Sequence, residues 1–136
     1  MKKVTSILLV LSIVIGLVSC KKKAEVEPPE ETLRVSSNPI FGSDVIGALS
    51  STYSFKLLIT SKPPKNGVKV DISVKNDLDN SVVFSQSTQT SSSSITSVDL
   101  QLASLIAGNL YTSTVDITSL TTPTNKAQLI FKIARK

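Results

Sequence analysis

No histidine occurs in the 136 residues, and Cys20 is the single thiol. A Ser-His-Asp or Cys-His arrangement cannot exist, nor can a zinc site of the usual His/Cys type, and a lone cysteine closes no internal disulfide. Acid–base work is left to lysine, tyrosine or paired carboxylates. The candidates are Asp44, Asp71, Asp77, Asp79, Asp99 and Asp116, of which Asp71, Asp99 and Asp116 alternate with apolar residues and so face solvent. The densest group of hard oxygen donors is Asn76, Asp77, Asp79 and Asn80. Calcium takes six to eight oxygens, and an acidic turn could supply some. Asp and Asn are also the commonest turn formers, no glutamate stands twelve positions on, and the turn is the stronger reading. No Gly-rich phosphate cradle or serine elbow is present. An enzyme is not expected, nor a cofactor, nor a small-molecule substrate.

The elements that must position these groups read as strands. Leu33–Val35, Tyr53–Ile59, Val68–Val74, Val82–Phe84, Val98–Leu102, Tyr111–Ile117 and Ala127–Ile133 are the predicted segments. Apolar residues in most of them recur at period two, the mark of a strand with one buried face. Val68, Val70, Ile72 and Val74 against Lys69, Asp71, Ser73 and Lys75 is the clearest case. Pro63-Pro64-Lys65-Asn66-Gly67 and Thr122-Pro123-Thr124-Asn125 supply turn chemistry. The run Ser85–Ser97 holds ten Ser or Thr in thirteen residues and reads as an exposed loop or a polar edge strand. Seven strands in about 105 residues predict an all-β, antiparallel two-sheet sandwich. Phe84 and the other core aromatics are expected inside, with Phe41 closing one end.

Leu17-Val18-Ser19-Cys20 ends an apolar segment, Ile7–Val18, that follows Lys2 and Lys3. The segment is too short for the ~20 residues that span a bilayer and fits the ~7 to 15 of a secretory apolar region. The pattern resembles a bacterial lipoprotein signal peptide with its lipobox. The resemblance implies cleavage before Cys20 and acylation of its sulfur and new amino group, with several acyl chains giving stable anchoring. The expected organisation is then a signal peptide at 1–19, a lipidated cysteine and charged tether at 20–32, and a sandwich domain at 33–136. Lys2 and Lys3 leave with the signal peptide, so thirteen basic side chains remain against ten acidic. The triplet Lys21–Lys23 stands beside the lipid, where each charge adds on the order of 1 kcal/mol of attraction to an anionic leaflet. Elsewhere basic residues are too dispersed for a nucleic-acid stripe.

Leu105, Gly108 and Tyr111, opening the penultimate strand, resemble the tyrosine corner of immunoglobulin-like and fibronectin type III-like domains. That likeness implies a phenol bonded back to upstream backbone, making Tyr111 a structural lock. Asn38-Pro39, the Val68–Val74 strand, Asp99-Leu100, Gly108 with Tyr111 and a basic last strand are also similar to type IX secretion C-terminal sorting domains, although Asn109-Leu110 separates Gly108 from Tyr111. By elimination, the expected function is a non-catalytic binding or scaffolding module. It is anchored to the membrane by its N-terminal lipid and serves an envelope protein partner. The alternative is a structural or ligand-sensing lipoprotein, binding carbohydrate or itself glycosylated along Ser85–Ser97. Lys21 at the second mature position resembles outer-membrane rather than inner-membrane sorting, and a periplasm-facing orientation is favoured over the cell surface.

Overall fold

The computed structural model describes residues 26–136, which contain eight strands: β1 Val35–Asn38, β2 Ile46–Ala48, β3 Tyr53–Ile59, β4 Val68–Asn76, β5 Val82–Thr90, β6 Ser97–Leu102, β7 Leu110–Ser119 and β8 Lys126–Arg135. No helix forms among the described residues. Two sheets result, one of three strands in the order β1-β3-β6 and one of five in the order β2-β8-β7-β4-β5. All pairings are antiparallel except β2 with β8, which is parallel.

β4 and β7 form the centre of the larger sheet. Val70 lies opposite Ile117 and Ile72 opposite Val115, and all four are at most 2% exposed. The smaller sheet contributes Phe55, Leu57, Ile59, Leu100 and Leu102 to the same core. Period-two side chains stand alternately above and below a strand, so one apolar set from each sheet meets its counterpart and the polar set stays wet. Burying each Val, Leu or Ile contributes roughly 1.5 to 3 kcal/mol. Phe41 closes one end, its ring 4.0 Å from Phe131 and 5.1 Å from Phe55.

The expectation of seven antiparallel strands is corrected to eight with one parallel pair. β2 is only Ile-Gly-Ala, too short for a period to register, and it depends on β8 for its hydrogen-bond partners. β1 begins at Val35 and continues through Ser37, which is buried although polar because its Oγ accepts from the Phe41 N–H at 3.1 Å. β5 runs on to Thr90, so the Ser/Thr-rich stretch is half edge strand and half loop.

Chain ends and turns divide between two poles. The β3–β4 turn, the β5–β6 loop, the β7–β8 turn and the entering N-terminal segment share one pole. There Gly67 has φ +84°, and a Cβ on it would fall 1.8 Å from the carbonyl oxygen of Thr90. The opposite pole holds the β4–β5 turn, the β6–β7 connection and the loops on either side of β2. It exposes Ile40, Leu49, Leu78 and Ile106, each at least 60% accessible. Gly67→Ala combines left-handed strain with a backbone collision, and should lower stability by about 2 to 4 kcal/mol. A urea midpoint for the variant equal to wild type would show that the β4–β5 junction yields freely.

Candidate functional site

The two sheets differ in width, and the difference opens one side of the sandwich. Phe84, Gln86, Thr88 and Thr90 of β5 stand opposite Val74, Ile72, Val70 and Val68 of β4, and therefore point the same way as the core. The three-stranded sheet stops at β6 and does not cover them. Gln86 is exposed, and Phe84, Thr88 and Thr90 are only half-buried, whereas their β4 partners are fully buried. Between the free edge of β6 and this shelf lies an open cleft of about 710 Å³, lined by Phe84, Gln86, Leu100, Gln101, Lys56 and Asp99 among others. Lys56 and Asp99 pair at 3.2 Å, and Gln101 donates to Ser54 Oγ at 3.0 Å, so the lining is locally neutral. Amides, hydroxyls and one accessible ring can hold an extended, uncharged ligand. Phe84 packs against the core but is only partly buried, because it sits where its sheet outreaches the other. The signal available in the sequence was Gln86, Thr88 and Thr90, polar residues in step with it where other strands carry Val or Ile.

Asn76, Asp77, Asp79 and Asn80 are brought together as a turn in which Asn76, Asp77 and Asp79 accept hydrogen bonds. Asn76 Oδ1 accepts from the Leu78 N–H at 2.9 Å, and Asp79 Oδ1 from both the N–H and the hydroxyl of Ser81. Asp77 accepts from Lys132 Nζ at 2.8 Å and Thr112 Oγ1 at 2.6 Å. Asn80 adopts φ 58°, the left-handed conformation Asn tolerates. Lys132 places a cation on the carboxylate a metal would need. Among the described residues no three His, Cys, Asp or Glu side chains come together as a metal group. Hydrogen bonding from Lys132, then from Thr112, holds Asp77 below the usual carboxylate range, and the Ser81 hydroxyl does the same for Asp79.

Tyr111 is fully buried at the opening of β7. Its hydroxyl accepts from the Ile106 N–H at 2.8 Å and lies 3.4 Å from the Ile106 carbonyl, tying the strand to backbone five residues upstream. Leu105 is buried, its N–H donating to the Ser51 carbonyl and its carbonyl accepting from Arg135 Nη1 at 2.6 Å. Gly108 takes φ +79° and donates to the Arg135 carbonyl, closing the corner against the end of β8.

Leu17, Val18, Ser19 and Cys20 lie outside the described residues. The stretch that follows does not behave as a free tether throughout. Glu27 pairs with Lys65 at 2.6 Å, Glu30 accepts from the Ser119 hydroxyl and the Asn125 amide, and Glu31 accepts from the Lys62 N–H at 2.9 Å. Asn125 Oδ1 in turn receives the Leu33 N–H at 2.8 Å. Residues 27–32 are thus fastened to the β3–β4 and β7–β8 turns. No periodicity announces such contacts, because the partners lie 31 to 95 positions apart in the chain. Comparison with protein-family models and with curated proteins finds no match to this chain.

Tyr111→Phe removes the buried hydroxyl and its hydrogen bonds to Ile106 and Asn109 while keeping the ring, and should cost about 1 to 2 kcal/mol in urea unfolding with strand content unchanged. No loss would mean that the corner is held by ring packing alone. Acid stability follows from the carboxylates. Asp71, Asp77 and Asp79 have folded-state pKa values lowered from 3.8, and Glu27 and Glu31 from 4.5. A lowered folded pKa gives stability that is complete above the unfolded value and lost as pH falls through the folded one. The melting temperature should therefore be level above about pH 5 and fall below pH 4, and Asp77→Asn should make the fall shallower.

Proposed function

We propose that this chain is a non-catalytic binding or scaffolding module of the bacterial cell envelope. In this reading the signal peptide ends at Ser19, acyl chains on Cys20 hold the protein at the outer membrane, facing the periplasm, and an immunoglobulin-like sandwich engages an envelope protein. The observation that carries the reading is the open side between β5 and β6. It offers unpaired strand edges beside a neutral, shallow cleft, the setting in which an extended segment adds to a sheet. The Tyr111–Ile106 hydrogen bond supports the immunoglobulin-like assignment, since it ties β7 back to the connection that crosses between the sheets, as in such domains. The apolar run, the lone cysteine and the lysines after it support the anchor.

A second reading has its own observation. Phe84 lies half-buried beside Gln86 and Gln101, a ring among amides, which suits ligand sensing with a sugar as ligand.

Mass spectrometry of the processed chain should show an acylated N-terminal Cys20, and the protein should partition into detergent. Crosslinking in intact cells, followed by purification in detergent, should recover one envelope protein repeatedly. Unmodified protein in the aqueous phase would overturn the anchor. Recovery of the chain with neither a protein partner nor bound glycan would overturn the binding role.

A further inference from the structure

The four sheet edges of this molecule are not protected alike. β1 is four residues long and runs into Pro39, and β2 is three residues long with the Lys136 side chain lying over Gly47. β6 has six residues and carries Asp99, paired with Lys56. β5 is nine residues long, holds no charge and no proline, and is interrupted only at its start, by the bulge at Val83 opposite Val74 and Lys75. It lies within a window from Asn80 to Val98 that has no charged side chain at all. Long edges are ordinarily blunted by lysine, proline or shortness, because a row of unpaired N–H and C=O groups recruits another strand. Every other strand of six residues or more carries at least one charge, so β5 is the exception among the described residues.

We propose that β5 is the dimer seam of this protein, pairing antiparallel with β5 of a second copy; the proposal rests on the binding-module reading and names its partner. A two-fold centred on Gln86 pairs the regular stretch Phe84–Thr88, short of the bulge at Val83. It sets Gln86 against itself, Ser85 against Ser87 and Phe84 against Thr88. Isologous pairing requires a surface complementary to itself, and an uncharged strand of Ser, Thr and Gln meets that condition where a charged one fails. The body at 26–136 carries ten basic against nine acidic side chains, so net charge barely opposes the pairing of two copies. Here like charges do not meet. The five-stranded sheets merge into one of ten strands, and each Phe84 gains the neighbouring copy's Thr88 on the shelf that its own smaller sheet leaves bare. The two-fold stands perpendicular to the sheet, which puts the two N-terminal segments at opposite ends of strands ~30 Å long. Residues 20–26 extend to ~20 Å, so both anchors reach one bilayer when the strands lie along its plane. Confinement to that bilayer raises the effective concentration of the mate.

The test uses the full chain purified in detergent, its mass followed by light scattering over a concentration series. Wild type should reach dimer mass. Gln86→Lys, which opposes two ammonium groups at the dyad on an exposed position, should raise the dissociation constant about fivefold or more. Gln86→Glu should do the same, and mixing the two variants should restore dimer. Circular dichroism should show both variants retaining full strand content. A wild-type chain that stays monomeric at ~0.1 mM, or a dimer indifferent to Gln86→Lys, overturns the proposal. A monomer that captures a different envelope protein, and loses it with Gln86→Lys, also overturns it while leaving the binding-module reading intact.

Discussion

The molecule depends on the ladder between β4 and β7. Nine residue pairs, Val68–Ser119 through Asn76–Tyr111, set one apolar face of each strand side by side. Everything else packs on that face or extends its sheet. Because side chains alternate, slipping this register by one residue would turn Val68, Val70, Ile72 and Val74 to solvent and bring Lys69, Asp71 and Lys75 inside. With one cysteine, and no tryptophan to fill the centre, packing of the aliphatic faces of the two sheets and of the Phe41, Phe55 and Phe131 rings has to hold them together. The Tyr111 hydroxyl lies at the last rung, so the corner that turns the chain between sheets also fixes where the ladder ends.

Much of this was legible from the residues. Strands such as Val68–Val74 and Tyr53–Ile59 alternate because each has one dry face and one wet face, and alternation is visible without coordinates. β2 was not legible, since three residues cannot display a period. β5 was only half legible. Its first residues are apolar, but from Gln86 on the positions aligned with the core are polar, and a polar strand at an uncovered edge cannot be told from a loop by composition. The turn at Asn76–Asn80 could be read for its shape, whereas its partners Thr112 and Lys132 come from strands more than thirty residues away. The engagement of Glu27, Glu30 and Glu31 was invisible for the same reason. Charge and proline content describe a segment's solubility, and its docking depends on surfaces assembled from elsewhere.

Unequal sheet widths account for the other distinctive feature. Five strands facing three leave part of the broader sheet without a lid, and the sequence answers with Gln and Thr where a covered strand would carry Val. Solvation of those side chains removes the cost of a bare apolar shelf. The unpaired backbone along β5 remains, as does the partly exposed ring of Phe84. The cleft is in that respect a by-product of incomplete layering rather than a built pocket.

The fastening of residues 27–32 across the β3–β4 and β7–β8 turns has a mechanical consequence. Force applied through the N-terminus enters the domain at ion pairs and at Asn125, and first meets contacts that break one after another. The strands would be sheared only after that stitching had given way. A pull on this chain would thus be absorbed in stages, lengthening the leader by about six residues while the body stayed intact.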